Sequence, residues 1–70
     1  MNIKINGESE SLEQTALTIS ELLKIKDVKM PEMVSVEHNG EMLDRENFDT
    51  TNVNDGDEIE FLYFMGGGYQ

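Results

Sequence analysis

The 70-residue chain contains no cysteine, no tryptophan, one proline and only five basic residues. Because cysteine is absent, disulfides, thiolate metal sites and thiol chemistry of the chain's own are all excluded. Its 15 acidic residues give a net charge of −10, which a phosphate backbone would repel, so we expect no nucleic-acid partner. The same charge favours solubility and would steer the chain toward a basic partner surface.

Long apolar runs are also missing. No basic segment followed by an apolar one opens the chain, and no apolar stretch approaches the roughly 20 residues that span a bilayer. We therefore expect a cytoplasmic protein without membrane contacts. Hydrophobic residues make up 37% of the chain, enough for one core, and we expect a domain over residues 1–65 followed by a flexible tail over residues 66–70.

Two Asn-Gly pairs predict β-hairpins, because this dipeptide is favoured in tight two-residue turns. Asn6-Gly7 follows an alternating apolar and polar stretch, and the polar residues after it predict an edge strand with a solvated face. Asn39-Gly40 lies between similar alternating stretches. The predicted strands span residues 1–5 and 8–13 in the first hairpin and residues 34–38 and 41–43 in the second.

A short helix is predicted between the hairpins. Thr18 and Glu21 fit a capping box, in which Thr18 is the N-cap and Glu21 occupies the third helical position. Leu17 and Leu22 flank this cap with the spacing of a hydrophobic staple. The apolar spacing indicates about two turns, and the helix should end before Pro31.

The second half of the chain completes an α+β plan. Residues 44–54 are polar and weakly patterned, which predicts a loop with one 3₁₀ turn, anchored by Phe48 and Val53. A turn over residues 54–57 leads into a last strand over residues 58–65. This order of elements predicts one main helix packed across a mixed sheet of four to five strands.

Catalytic and metal-binding motifs find little support. A calcium loop centred on Gly56 would need carboxylates where Thr51, Val53 and Leu62 stand. His38 has no catalytic partner visible in the sequence, and beside a hairpin turn it is interpreted as a surface strand residue. Since so small a domain has little room to bury a substrate, we expect neither an enzyme nor a bound metal.

The most informative feature is the run Gly66-Gly67-Gly68, followed only by Tyr69-Gln70. A glycine run is costly to hold in one conformation, so it does not stabilise the domain. When extended, it reaches about 10 Å beyond the body, which suits delivery of a terminal carboxylate into a partner's active site.

The strand before the glycines has two unlike faces. Leu62 and Phe64 share a face with Glu58 and Glu60, opposite the predicted core face. They would be a second core layer if the strand were covered on both sides. Their acidic neighbours indicate a wet face instead, so we interpret Leu62 and Phe64 as a patch that docks on a partner beside the tail.

Several segments together resemble small bacterial sulfur-carrier proteins of the thiamine-pathway type. The match runs in order over nearly the whole chain, with little or no insertion. The resemblance implies a β-grasp, ubiquitin-like fold, which agrees with the order of elements above. The segments are ISELL at residues 19–23, VEHNGE at 36–41, RENF at 45–48, DGD at 55–57, and the glycines after the last strand.

The resemblance also implies a function. In that family an activating enzyme that uses ATP and magnesium adenylates the C-terminal glycine carboxylate. Sulfur from a persulfide, made by a cysteine desulfurase, then replaces the adenylate, and the thiocarboxylate donates sulfide to an acceptor such as thiazole synthase. The resemblance assigns the reacting carboxylate to Gly68, tail threading to Gly66 and Gly67, and partner docking to Leu62 and Phe64. It implies no cofactor bound by the chain itself.

Tyr69 and Gln70 depart from the family pattern, in which the glycine pair ends the chain. With them in place the Gly68 carboxyl group is a peptide bond and cannot be adenylated. We expect a processing peptidase to remove Tyr69-Gln70, unless they are a cloning remnant. Relatives that feed sulfur into methionine synthesis carry a similar cap.

Alternative functions share the same tail. The chain is either this carrier, a sulfur carrier for methionine or molybdopterin synthesis, or a ubiquitin-like modifier that links Gly68 to lysine. A stand-alone binding module would retain its activity after deletion of residues 67–70. The sequence leaves open the acceptor, the peptidase and the oligomeric state.

Overall fold

The computed structural model describes residues 1–28 and 31–63. The predicted tail residues Gly66, Gly67, Gly68, Tyr69 and Gln70, together with Phe64, lie outside this part of the chain. The described part holds one α-helix, two 3₁₀ turns (Pro31–Met33 and Arg45–Asn47) and seven strands. In chain order these are β1 (Asn2–Ile5), β2 (Glu8–Ser11), β3 (Leu17–Thr18), α1 (Ile19–Ile25), β4 (Val34–His38), β5 (Glu41–Leu43), β6 (Asn52–Val53) and β7 (Glu58–Tyr63).

Five of the strands form a mixed sheet in the order β2-β1-β7-β4-β5. β1 and β7 are parallel, whereas the other neighbouring pairs are antiparallel. The predicted mixed sheet with one main helix is therefore confirmed. The last strand lies at the centre of the sheet, between the two hairpins.

The prediction of a strand-free loop over residues 44–54 is wrong at its end. Its 3₁₀ turn is present, but Asn52–Val53 forms β6, which pairs with β3 through Leu17 and Val53. A two-residue strand is too short to show a period, so only its distant partner defines it. Val53 and Phe48 are buried, as predicted for the loop anchors.

Both predicted hairpin turns are confirmed. Asn6 and Gly7 have φ of 52° and 84°, and Asn39 and Gly40 have φ of 54° and 87°, as a type I′ turn requires. β2 ends at Ser11, before the predicted residue 13, because its last partner is Asn2, where β1 begins.

The capping box of α1 is also confirmed. The Glu21 N–H donates to Thr18 Oγ1 over 3.2 Å, and the Thr18 N–H donates to Glu21 Oε1 over 2.8 Å. The helix ends at Ile25, and Asp27 follows in the left-handed region with φ of 56°. The helix therefore ends before Pro31, as predicted.

The core lies between α1 and one face of the five-stranded sheet. Burial of each large side chain contributes about 1.5–3 kcal/mol, and the most deeply buried ones come from both layers. Within the described residues, no helix is long and apolar enough to cross a membrane. The buried apolar residues are Ile3, Ile5, Leu17, Ile19, Leu22, Leu23, Val34, Val36, Phe48, Val53, Ile59 and Phe61.

Candidate docking surface

β7 alternates between the core and the opposite face of the sheet. Phe61 is 8% exposed on the core side, whereas Glu60 is exposed and Leu62 is half-buried. Residues directly opposite in an antiparallel pair point to the same face, and Leu62 lies opposite Ser35 of β4. The structure thus places Leu62 on the face away from the core, while Phe64, its predicted companion, lies outside the described residues.

This face, called here the open sheet face, mixes acidic and apolar side chains. Met42 lies opposite Glu37, and Glu37 lies opposite Glu60, so the three form a line across β5, β4 and β7. Met42 is 58% exposed. Such a surface suits a partner that combines basic groups with an apolar patch. The open sheet face comprises Lys4, Ser35, Glu37, Met42, Glu58, Glu60 and Leu62, with Lys4 as the one basic residue among them.

Sequence reasoning missed Met42 as a surface residue. The sequence pattern predicts a returning strand over Glu41, Met42 and Leu43 without indicating which of the three is exposed. Strand alternation supplies the missing signal, because Leu43 packs against the core and its neighbour Met42 must then point to the other face.

Asn6 holds the second half of β7 in place. Its backbone N–H donates to the Ile59 carbonyl over 2.9 Å, and its side-chain Oδ1 accepts from the Phe61 N–H over 2.8 Å. The left-handed Asn6 backbone turns its side chain toward β7 just where β1 ends. The turn residue therefore continues, with its side chain, the ladder that β1 began.

Asp57 joins the start of β7 to the second hairpin. Its Oδ2 lies 2.7 Å from His38 Nε2 and also accepts a hydrogen bond from the Asn54 N–H over 2.9 Å. Its Oδ1 accepts a hydrogen bond from the Asn39 side-chain amide over 3.2 Å. Burial opposes ionisation of Asp57, but the hydrogen bonds from Asn54, His38 and Asn39 and the nearby His38 charge outweigh it. The net effect is a pKa below the ordinary 3.8.

The interpretation of His38 as a surface strand residue is correct about the strand, since His38 ends β4, but its side chain is mostly covered. The His38 side chain is 21% exposed and that of Asp57 is 11% exposed, and the two form an ion pair when His38 is protonated. His38 lies opposite Ile59 of β7, which turns its ring toward the core side. Nothing in the sequence pairs these two residues, because they are 19 positions apart and meet only when β4 and β7 pair.

Asp57, His38, Asn39 and Asn54 form a hydrogen-bonded cluster, and Asn39 also ties it to the backbone of Glu58. Its N–H donates to the Glu58 carbonyl over 2.8 Å, and its side-chain Oδ1 accepts the Glu58 N–H over 2.9 Å. The cluster lies where β7 begins, whereas the glycines follow the other end of the strand. At about 3.3 Å per residue the two ends are roughly 17 Å apart, so the cluster fixes β7 rather than acting on the tail.

In residues 1–28 and 31–63, no group of three or more histidine, aspartate or glutamate side chains is arranged to hold a metal ion. What the described residues offer is a central strand with an acidic and apolar face, which ends at Tyr63, three positions before the first glycine of the tail.

A mixed sheet crossed by one helix, with a central strand that leads to a glycine-rich end, is the architecture of a β-grasp sulfur carrier. The ThiS family model matches residues 2–68. The chain therefore belongs to the ThiS family.

Solved structures agree with this assignment. A crystal structure of the thiamine biosynthesis protein ThiS from Geobacter metallireducens has 51% sequence identity and a TM-score of 0.89, covering 97% of this chain and 100% of that one. A solution NMR structure of a thiamine biosynthesis protein from Geobacter metallireducens has 49% identity and a TM-score of 0.81, covering 100% of this chain and 91% of that one.

A larger relative carries a region similar to this chain. A thiazole synthase from Paramagnetospirillum magneticum is 35% identical over 68 residues, which is 97% of this chain and 20% of that protein. The chain thus spans about a fifth of the length of that relative.

Proposed function

We propose that this chain carries sulfur for thiazole formation in thiamine biosynthesis on the carboxyl group of Gly68. The observation that carries the proposal is that the family match ends at Gly68 and leaves out Tyr69 and Gln70. A peptidase removes these two residues and frees the carboxylate. Gly66 and Gly67 let the tail enter a narrow channel, because they have no side chains to block it.

A carboxylate is a poor electrophile, so the carrier must first be activated. A partner enzyme that uses ATP and magnesium forms the acyl adenylate and stabilises the developing charge, with release of pyrophosphate. The persulfide of a cysteine desulfurase or its relay attacks the acyl carbon and expels AMP, and a second thiol reduces the acyl disulfide to the thiocarboxylate. The chain needs no cysteine of its own, because its terminal carbonyl carbon holds the sulfur.

The open sheet face supplies the docking surface in this proposal. Leu62, with Phe64 further along the chain, packs against the activating enzyme and then against thiazole synthase. Glu37 and Glu60 surround the apolar contact and favour partners with basic rims. The Paramagnetospirillum magneticum relative supports thiazole synthase as the acceptor, since that protein is named a thiazole synthase and contains a region similar to this chain.

The test compares two forms of the chain, one of 70 residues and one ending at Gly68, each incubated with the host's activating enzyme and ATP. We expect AMP transfer only to the form ending at Gly68. Addition of a cysteine desulfurase and cysteine should then yield a mass in which one oxygen is replaced by sulfur. If the trimmed form accepts no AMP, the carrier proposal fails.

The Tyr69-Gln70 cap favours one alternative acceptor, the methionine pathway, whose carriers resemble this chain and are capped. Thiocarboxylate carrier offered to thiazole synthase and to the homocysteine-forming enzyme of the same host distinguishes the two. Sulfide transfer to the latter alone would redirect the pathway and leave the carrier chemistry intact.

A further inference from the structure

β7 extends beyond its neighbour β1. β1 pairs with β7 at Lys4 with Glu58 and at Ile5 with Ile59, whereas β4 pairs with β7 as far as Tyr63. At Asn6 the chain turns away into β2, so the end of β7 has a backbone neighbour on the β4 side and a free edge on the β1 side.

The hydrogen bonds show which atoms point to this free edge. The N–H and C=O of one strand residue point to the same side, and the side alternates along the strand. Glu58 bonds to Asn39 on the β4 side, whereas Ile59 and Phe61 bond to Asn6 on the β1 side. The Phe61 carbonyl and both backbone groups of Tyr63 therefore point past the end of β1, where the described residues provide no backbone partner.

This free edge differs from the two outer edges of the sheet. β2 carries Glu8 and Glu10 and β5 carries Glu41, and charges on an edge strand discourage pairing with another chain. The free edge of β7 begins at the Phe61 carbonyl, just beyond the Phe61 N–H that Asn6 binds, and ends at Tyr63; this stretch holds no charged residue, no proline and no glycine. It thus lacks the features that block strand addition.

We propose that an extended, basic segment of thiazole synthase adds to this edge as a further strand beside β7. The inference rests on the proposed function, which names the partner, and adds the mode of recognition. A second copy of the chain is disfavoured because two molecules of net charge −10 repel, and Glu60 lies beside the edge. Backbone bonds from the added strand align β7, and with it the direction in which the following residues enter the acceptor.

The Tyr63 N–H provides the test, since Tyr63 pairs with Val34 of β4 while its N–H points to the other side, past the end of β1. Tyr63→Pro removes this donor, and proline is tolerated where the N–H of an edge points outward. Tyr63→Val is the matched control, because it makes a similar change of side chain and keeps the N–H. Both variants are made in the 70-residue chain, and equal thermal unfolding of the two shows that the fold is intact.

Titration calorimetry against the host's thiazole synthase measures the effect. We expect Tyr63→Pro to bind about tenfold more weakly than Tyr63→Val, as the loss of one hydrogen bond implies. In wild type, the Tyr63 amide should exchange with deuterium quickly when free and at least about tenfold more slowly in the complex.

Two results would overturn the inference in distinguishable ways. If wild type binds while Pro and Val variants bind equally and the Tyr63 amide stays unprotected, strand addition is wrong and the proposed function stands. If wild type does not bind thiazole synthase at all, then thiazole synthase is not the partner. Both the proposed acceptor and the proposed strand addition are then wrong.

Discussion

Asp57 illustrates how one side chain can hold several segments together. Its carboxylate bonds to His38, Asn39 and the backbone of Asn54, which join a strand end and two turns. These contacts favour the ionised form over the protonated one. A carboxyl group held in this way contributes stability only while it remains charged.

The Asp57→Asn variant tests this contribution through its pH dependence. Because the folded pKa of Asp57 lies below the unfolded value near 3.8, the stabilisation is complete above that value and is lost as pH falls through the folded pKa. We expect the substitution to cost about 1–3 kcal/mol in unfolding free energy at pH 7. The cost should shrink below about pH 4, as the wild type loses the same interaction.

Urea unfolding at a series of pH values measures the difference in unfolding free energy between wild type and Asp57→Asn. Asp44→Asn changes an exposed carboxylate in the same way and serves as the control, with little effect at any pH. If this difference for Asp57→Asn were constant from pH 7 to pH 3, the ionised carboxylate of Asp57 would not be the source of the stabilisation.

At the scale of elements, the sequence predicted what is encoded locally. The two Asn-Gly turns and the Thr18 capping box depend on residues a few positions apart, so the sequence alone places both hairpins and the helix. The pairing of β3 with β6 and the contact of His38 with Asp57 depend on long-range geometry. Periodicity placed Leu62 on the outer face, yet its role as a docking residue stays a prediction.

The open sheet face gives a prediction at this scale. If Leu62 docks as proposed, Leu62→Ser should weaken binding to the proposed activating enzyme by more than about tenfold, because an apolar residue in the centre of an interface often carries much of the binding energy. Ile25→Ser, on the helix side and 42% exposed, is the matched control and should change affinity by less than about twofold. Surface plasmon resonance with immobilised enzyme compares the two. Equal losses would show that the docking surface lies elsewhere.

At the scale of the whole molecule, charge dominates. A net charge of −10 on 70 residues produces a negative field around the molecule, and the open sheet face adds Glu37, Glu58 and Glu60 to it. Such a field accelerates encounters with basic partners and slows self-association. The field is not specific to one acceptor, so affinity for the correct partner must come from the short contacts.

Because the long-range charge acts on the encounter and the short contacts act on the bound complex, salt should affect the two rates of partner binding differently. Raising ionic strength from about 50 to 500 mM shortens the Debye length from roughly 14 to 4 Å and should slow association with the proposed activating enzyme by about tenfold or more. The dissociation rate should change by less than about threefold. Stopped-flow kinetics separates the two rates. An association rate that does not respond to salt would show that the charge serves solubility alone.

The central position of β7 has a consequence for biosynthesis. Residues 58–63 are translated after every other described element, yet β1 and β4 are linked in the sheet through them. A nascent chain interrupted before this point holds two hairpins with nothing between them and cannot complete its core. Folding therefore has to wait until the ribosome has passed the codon for Tyr63. Products of interrupted translation lack both the completed sheet and the glycines.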